Sequence, residues 1–181
     1  MKELPDQPLT FDINDENLEI CLYFQNGKDN FIGVIGDEYP QKSPLSADAK
    51  TLQMPAQVLL NGINRTLFAT GDDELRPIMN GIYIDIHPED IIFVASDSHK
   101  LVRCKNDSIQ SGLTSSFISP KKPATLLKNI LPKESGDVSI TFDDKNAVFA
   151  LSNFVLNCRL IEGRYPNYAS VIPQNNPNRI I

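Results

Sequence analysis

Apolar residues recur along the chain with two different periods. Ala56, Leu60, Ile63 and Leu67 fall at i, i+4, i+7 and i+11, one side of a helix, while Gln57, Asn61, Asn64 and Arg65 fall on the other. Pro55 suits an early helical position and Gly71 a stop, so a helix is predicted between them. A second helix opens within Ser119-Pro120-Lys121-Lys122-Pro123 and closes before Pro132. Leu127, Ile130 and Leu131 form its apolar stripe, and Lys121, Thr125 and Lys128 share the opposite face. The remaining apolar residues are β-branched or alternate, which predicts strands at 81–86, 90–95, 101–104 and 117–118. Residues 138–142, 147–151 and 154–160 read as a meander with turns at 143–146 and 152–153. Near the amino end, 9–13, 18–24 and 31–35 read as a similar meander with turns at 14–17 and 25–28.

The two meanders look like copies of one unit. Thr10-Phe11-Asp12 recurs as Thr141-Phe142-Asp143, and Gly36-Asp37-Glu38-Tyr39-Pro40-Gln41 resembles Glu162-Gly163-Arg164-Tyr165-Pro166-Asn167. The spacing of about 130 residues is a common domain size. The first copy has no helical segment before it. The expected organisation is therefore an incomplete first domain plus linker over 1–46, a complete domain over 47–173, and a linker toward a further domain over 174–181.

Composition narrows the function classes. The 181 residues are 41% hydrophobic and 22% charged, an ordinary globular balance. No apolar run reaches the roughly 18 residues of a membrane span, and the amino end lacks a signal-peptide core, so a cytoplasmic protein with no membrane partner is expected. Three widely spaced cysteines and two histidines twelve apart give neither a disulfide framework nor a metal-ligand pattern, and no cofactor is expected. Lys and Arg number 17 against 23 Asp and Glu, a net charge of −6, which does not by itself announce a nucleic-acid binder. Its distribution says more. Residues 49–71 and 108–133 contain no acid, and these stretches hold both predicted helices. Two short helices thus carry neutral or positive polar faces inside an acidic protein.

Asp97 and His99 invite an acid–base reading. No Ser or Cys sits in a nucleophile elbow, however, and residues i and i+2 make no relay. A turn-forming Asp and a rim His fit better, and Gly163-Arg164-Tyr165-Pro166 reads as a turn closing a domain.

Three ordered motifs carry a resemblance. Asp73-Glu74-Leu75-Arg76-Pro77-Ile78-Met79-Asn80-Gly81 precedes a strand, Phe93-Val94-Ala95-Ser96-Asp97-Ser98-His99-Lys100-Leu101 follows, and Leu160-Ile161-Glu162-Gly163-Arg164-Tyr165-Pro166-Asn167-Tyr168 closes the set. Together they resemble the bacterial sliding clamps, the β subunits of the replicative DNA polymerase III, over the middle domain and the end of the first. The resemblance implies an α+β clamp fold: paired βαβββ units, antiparallel sheets outside and two helices on the inner face. It implies a non-catalytic processivity factor, a ring-shaped homodimer around double-stranded DNA that is bound without regard to sequence. Polymerase III catalytic subunit, clamp loader and other motif-bearing proteins would dock in a peptide pocket. Matching pocket positions are Met79, Ser96, Ser98, His99, Lys100, Leu101 and Pro173, with Arg76 nearby. Met79, Leu101 and Pro173 would give an apolar floor, and Ser96, His99 and Lys100 polar edges. Members often have Gly at Ser98 and Arg at Lys100. Some carry Gln and tandem tyrosines where Asp73, Pro77 and Ile78 stand. The DNA-facing role then falls to Arg65, Lys121, Lys122 and Lys128. A peptide-binding adaptor without a DNA role is the competing reading.

Overall fold

In a computed structural model, residues 4–39, 44–173 and 175 are described. The chain forms two compact units, Met1–Lys42 and Ser43–Ile181. In the first, β1 (Thr10–Asn14), β2 (Glu19–Phe24) and β3 (Gly27–Ile32) make an antiparallel sheet in that order.

The second unit runs through the same βαβββ order twice. The first pass is β4 (Lys50–Pro55), α1 (Ala56–Thr66), β5 (Gly81–Ile86), β6 (Ile91–Ser96) and β7 (Leu101–Asn106). Next come β8 (Ser115–Pro120), α2 (Lys121–Ile130), β9 (Asp137–Phe142), β10 (Asn146–Ala150) and β11 (Val155–Arg159). The passes exchange their first strands, giving antiparallel sheets β11-β10-β9-β4 and β7-β6-β5-β8. This exchange ties both halves into one core, which joins Leu52 and Met54 of β4, Phe93 of β6 and Phe149 of β10 to both helices.

Both helices are held by amphipathic burial rather than by side-chain caps, which neither has. Helix α1 buries Ala56, Leu59, Leu60 and Ile63, and α2 buries Ala124 and Leu127. Helix α1 packs against β6 and β7, α2 against β5 and β8, and the helices touch each other. Gly62 allows the close approach of α1, since a Cβ there would lie 2.6 Å from the Phe93 ring. Strand β6 is buried on both faces, which explains why its sequence is a continuous apolar run rather than an alternation. Its second face, with Ile92 and Val94, packs with Ile118 and Tyr165 in a separate cluster on the side away from the helices.

The structure corrects several expectations. Strand β4 was not anticipated, although Leu52 and Met54 alternate with exposed Thr51 and Gln53. Pro55 ends that strand with φ −56° and ψ 136°, so it precedes α1 rather than opening it. Strand β3 starts at Gly27 instead of residue 31, because Phe24 pairs directly with Gly27 and leaves a two-residue Gln25-Asn26 turn. The Thr-Phe-Asp triplets are not equivalent positions. Phe142 pairs with Ala147 next to its turn, whereas Phe11 pairs with Leu22 and Ile13 takes the turn-proximal place opposite Ile20.

Candidate functional site

The motif residues build two adjoining features on the second unit. The first is the loop between α1 and β5. Asn80 fixes it, accepting from the Asp73 N–H at 2.9 Å and donating its amide to the Asp73 carbonyl at 2.9 Å. The Gly71 N–H donates to the Met79 carbonyl at 2.7 Å and completes the closure. Asp73 in turn holds Arg76, whose Nε lies 2.9 Å from Oδ2. The Leu75 N–H above all, with the Arg76 guanidinium, holds the Asp73 carboxyl below its usual range. Leu75 itself is 92% exposed at the tip of this loop.

The second feature is the β6–β7 turn. Asp97 accepts from the His99 N–H at 3.0 Å and the Lys100 N–H at 2.9 Å, and its other oxygen pairs with the Lys100 ammonium. The Lys100 side chain, followed by those backbone donors, holds the Asp97 carboxyl far below its usual range. Buried Ser96 donates to the Lys100 carbonyl at 2.8 Å and accepts from the Ser98 N–H at 3.2 Å. Ser98 has φ +79°, the left-handed region that glycine occupies freely. Its hydroxyl receives the Arg76 Nη1 at 2.5 Å, and this bond joins the two features.

The expected pocket residues therefore divide by role. Met79 and Leu101 come together, both packed on the Ile92, Val94, Ile118 and Tyr165 cluster. Arg76 and Ser98 meet as a clasp. Ser96 and Lys100 spend their polar groups building the turn rather than facing outward as free edges. His99 is exposed. Pro173 is exposed beyond the Tyr168–Val171 turn and is not among the described residues packed on that cluster.

The charge pattern occupies the helices. Arg65 and Lys128 stand in the last turns of α1 and α2, where a cation suits the helix dipole. Both are exposed, as is Lys122. Lys121 differs, because its ammonium lies 2.5 Å from Asp72 Oδ2 and is partly neutralised. That partner, 49 residues away, left no local sign in the sequence. On the far side of the polar face of α1, Gln57 donates to Asn61 at 3.0 Å. Exposed Phe68 near the end of α1 also escaped the periodic reading, because it lies beyond the helical repeat.

The family described as DNA polymerase III beta subunit, central domain, matches residues 53–167. The beta sliding clamp of Bacillus subtilis is 30% identical over 184 residues, covering 100% of this chain and 48% of that protein. The beta sliding clamp of Synechococcus elongatus is 28% identical, covering 90% of this chain and 44% of that protein. Thus the chain spans about half the length of the curated relatives it matches. The crystal structure of the Bacillus subtilis clamp superposes with a TM-score of 0.79 at 28% identity, covering 96% of this chain and 46% of that one. The fold is shared also with the Thermotoga maritima beta subunit, at a TM-score of 0.82 and 20% identity, covering 96% of this chain and 46% of that one.

Proposed function

The chain belongs to the DNA polymerase III beta subunit family, and from that premise we propose that it is a non-catalytic part of a DNA sliding clamp, a processivity factor in replication. In this reading, residues 47–173 act as a middle clamp domain and residues 1–46 supply the closing meander of a neighbouring one. The exposed faces of α1 and α2 turn toward double-stranded DNA within a ring-shaped homodimer. Polymerase III catalytic subunit, clamp loader and other motif-bearing proteins dock beside Met79 and Leu101. The site of action is the cytoplasm.

One observation carries the reading: the two helices lie side by side over one core and hold no acid, in a chain where acids outnumber bases. Phosphates can pass such a surface without strong capture. Attraction comes from releasing condensed counterions, is blind to sequence and weakens with salt, so the protein can slide. Phosphate contact alone positions without reading bases, and no base-reading element is required. The clasp of Arg76 and Ser98 and the fixed β6–β7 turn keep the pocket wall rigid, while Met79 can repack for different peptides.

The test reverses Arg65, Lys122 and Lys128 to Glu in this chain. Binding to a random-sequence duplex is followed by anisotropy across a salt series, beside binding of a leucine- and phenylalanine-bearing clamp-motif peptide. Weak duplex binding should drop about tenfold or more, and its log–log salt slope should flatten by up to roughly 3. Peptide binding should persist. Duplex binding that the triple reversal leaves intact contradicts the reading. Peptide binding with no duplex binding by either protein favours the adaptor.

A further inference from the structure

On the sheet face turned away from the helices lies a groove of about 730 Å³. None of Met79, Ser96, Ser98, His99, Lys100 and Leu101 lines it, although Ile118 and Tyr165, on which Met79 and Leu101 pack, do. One wall is the edge of β8. The Ile118 carbonyl accepts from the Ile161 N–H at 3.1 Å, so the peptide groups of Ile118 point away from β5. Antiparallel strands alternate the direction of these groups, which turns the N–H and C=O of Ser116 the same way. Pro120 fits this phase, since its missing N–H would also have faced outward. Among the described residues, the outward groups of exposed Ser116 are unpaired, whereas Ile118 is buried beside Ile161.

Carboxylates gather around this edge. Asp85, Asp143, Asp144 and Glu162 line the groove with Arg164, and Arg103 acts on Tyr168 beside Asp85. Asp85 accepts from the Tyr168 hydroxyl at 2.8 Å and faces His87 Nε2 at 3.3 Å. Glu162 accepts from Arg159 at 3.0 Å. Asp143 accepts backbone N–H bonds from Ser46, Lys145 and Asn146. Asp144 is exposed and unpaired among the described residues. Tyr83 and Tyr165 stack at 4.6 Å with 4° between their planes, and Tyr168 tilts against Tyr83 at 6.2 Å. A strand edge open at exposed Ser116, walled by acids, is what an extended cationic peptide requires.

We propose that this groove binds an extended peptide segment bearing lysine or arginine, which adds as a strand to β8. Its backbone pairs with the outward N–H and C=O of Ser116. Alternate side chains point into the groove, where a cationic one reaches Asp144. The acid excess disfavours nucleic acid here. The groove adjoins the expected partner pocket through Ile118 and Tyr165 but includes neither Met79 nor Leu101.

The test titrates this chain with a fluorescein-labelled hexapeptide of alternating lysine and valine at low salt. Saturable binding is expected, with none for the glutamate–valine counterpart. Asp144→Asn should weaken it about two- to fivefold, as expected for one solvated ion pair. Ser116→Pro, which removes one outward N–H from an edge strand, should weaken it further. Methylating alternate backbone nitrogens of the peptide leaves the protein untouched and should weaken binding about tenfold. An unlabelled clamp-motif peptide should not compete. No saturation up to about 1 mM, equal binding of the acidic peptide, or indifference to both N-methylation and Asp144→Asn overturns the proposal.

Discussion

The meanders β9–β11 and β1–β3 share a hairpin plan and differ in what lies over it. In β9 and β10 the inward pairs are Phe142 with Ala147 and Ile140 with Phe149, all 3% exposed or less. The matching pairs in β1 and β2 are Ile13 with Ile20 and Phe11 with Leu22. Of these Leu22 is buried, but Ile13 is 59% and Phe11 47% exposed. The alternation is equally good in both. The β9–β11 meander is closed over by α1, α2 and the β5–β8 sheet, and among the described residues no α-helix belongs to the unit of β1–β3. Periodicity in a strand records which face is apolar, whereas burial depends on a second layer that the strand does not encode.

The largest expected contrast comes from deleting one ring in each copy. Phe149→Ala should cost about 3–5 kcal/mol in denaturant unfolding, because it empties a fully enclosed site. Phe11→Ala should stay within about 0.5 kcal/mol, as at other exposed positions. Equal costs would break the comparison. A smaller effect probes the covering layer itself. Gly62→Ala places a methyl against the Phe93 ring beneath α1 and should cost about 1–3 kcal/mol by overpacking, partly offset by better helix propensity. A stabilised Gly62→Ala protein would mean that α1 does not sit so close.

The smallest contrast concerns the turns. The β9–β10 turn is held by a carboxylate: the N–H of Ser46 first, then those of Lys145 and Asn146, keep Asp143 below its usual pKa. The β1–β2 turn is held by the amides of Asn14 and Asn17, which accept from the N–H groups of Glu16 and Glu19. A depressed carboxylate favours the folded state above its unfolded pKa, and that contribution fades as pH falls through the lowered value. Hydrogen exchange should therefore show the β9–β10 turn loosening below about pH 4 while the β1–β2 turn keeps its protection. Asp143→Asn should flatten this pH response.

Much of the second unit was legible in the residues. Helix faces and strands β5, β7 and β9–β11 follow from spacing, because each buries a stripe, and β6 follows from its unbroken apolar run. Strand β4 escaped because its two inward residues, Leu52 and Met54, run straight into Pro55 and the helix. The motif residues around Met79 and Leu101 could be named, but not their bonds. Neither the Arg76–Ser98 clasp nor the Lys121–Asp72 pair has a local signature, since each joins segments brought together only by folding. The groove beside β8 was invisible for the same reason: its walls come from four separate segments.

The central claim is that α1 and α2 present the surface that meets DNA. Amide chemical-shift mapping of this chain with a short random-sequence duplex at low salt tests it most directly. Shifts confined to the exposed faces around Arg65, Lys122 and Lys128, and vanishing as salt rises, are the predicted result. Shifts that fall instead on the sheet surface around Tyr83 and Asp144, or none on the helices, would contradict it.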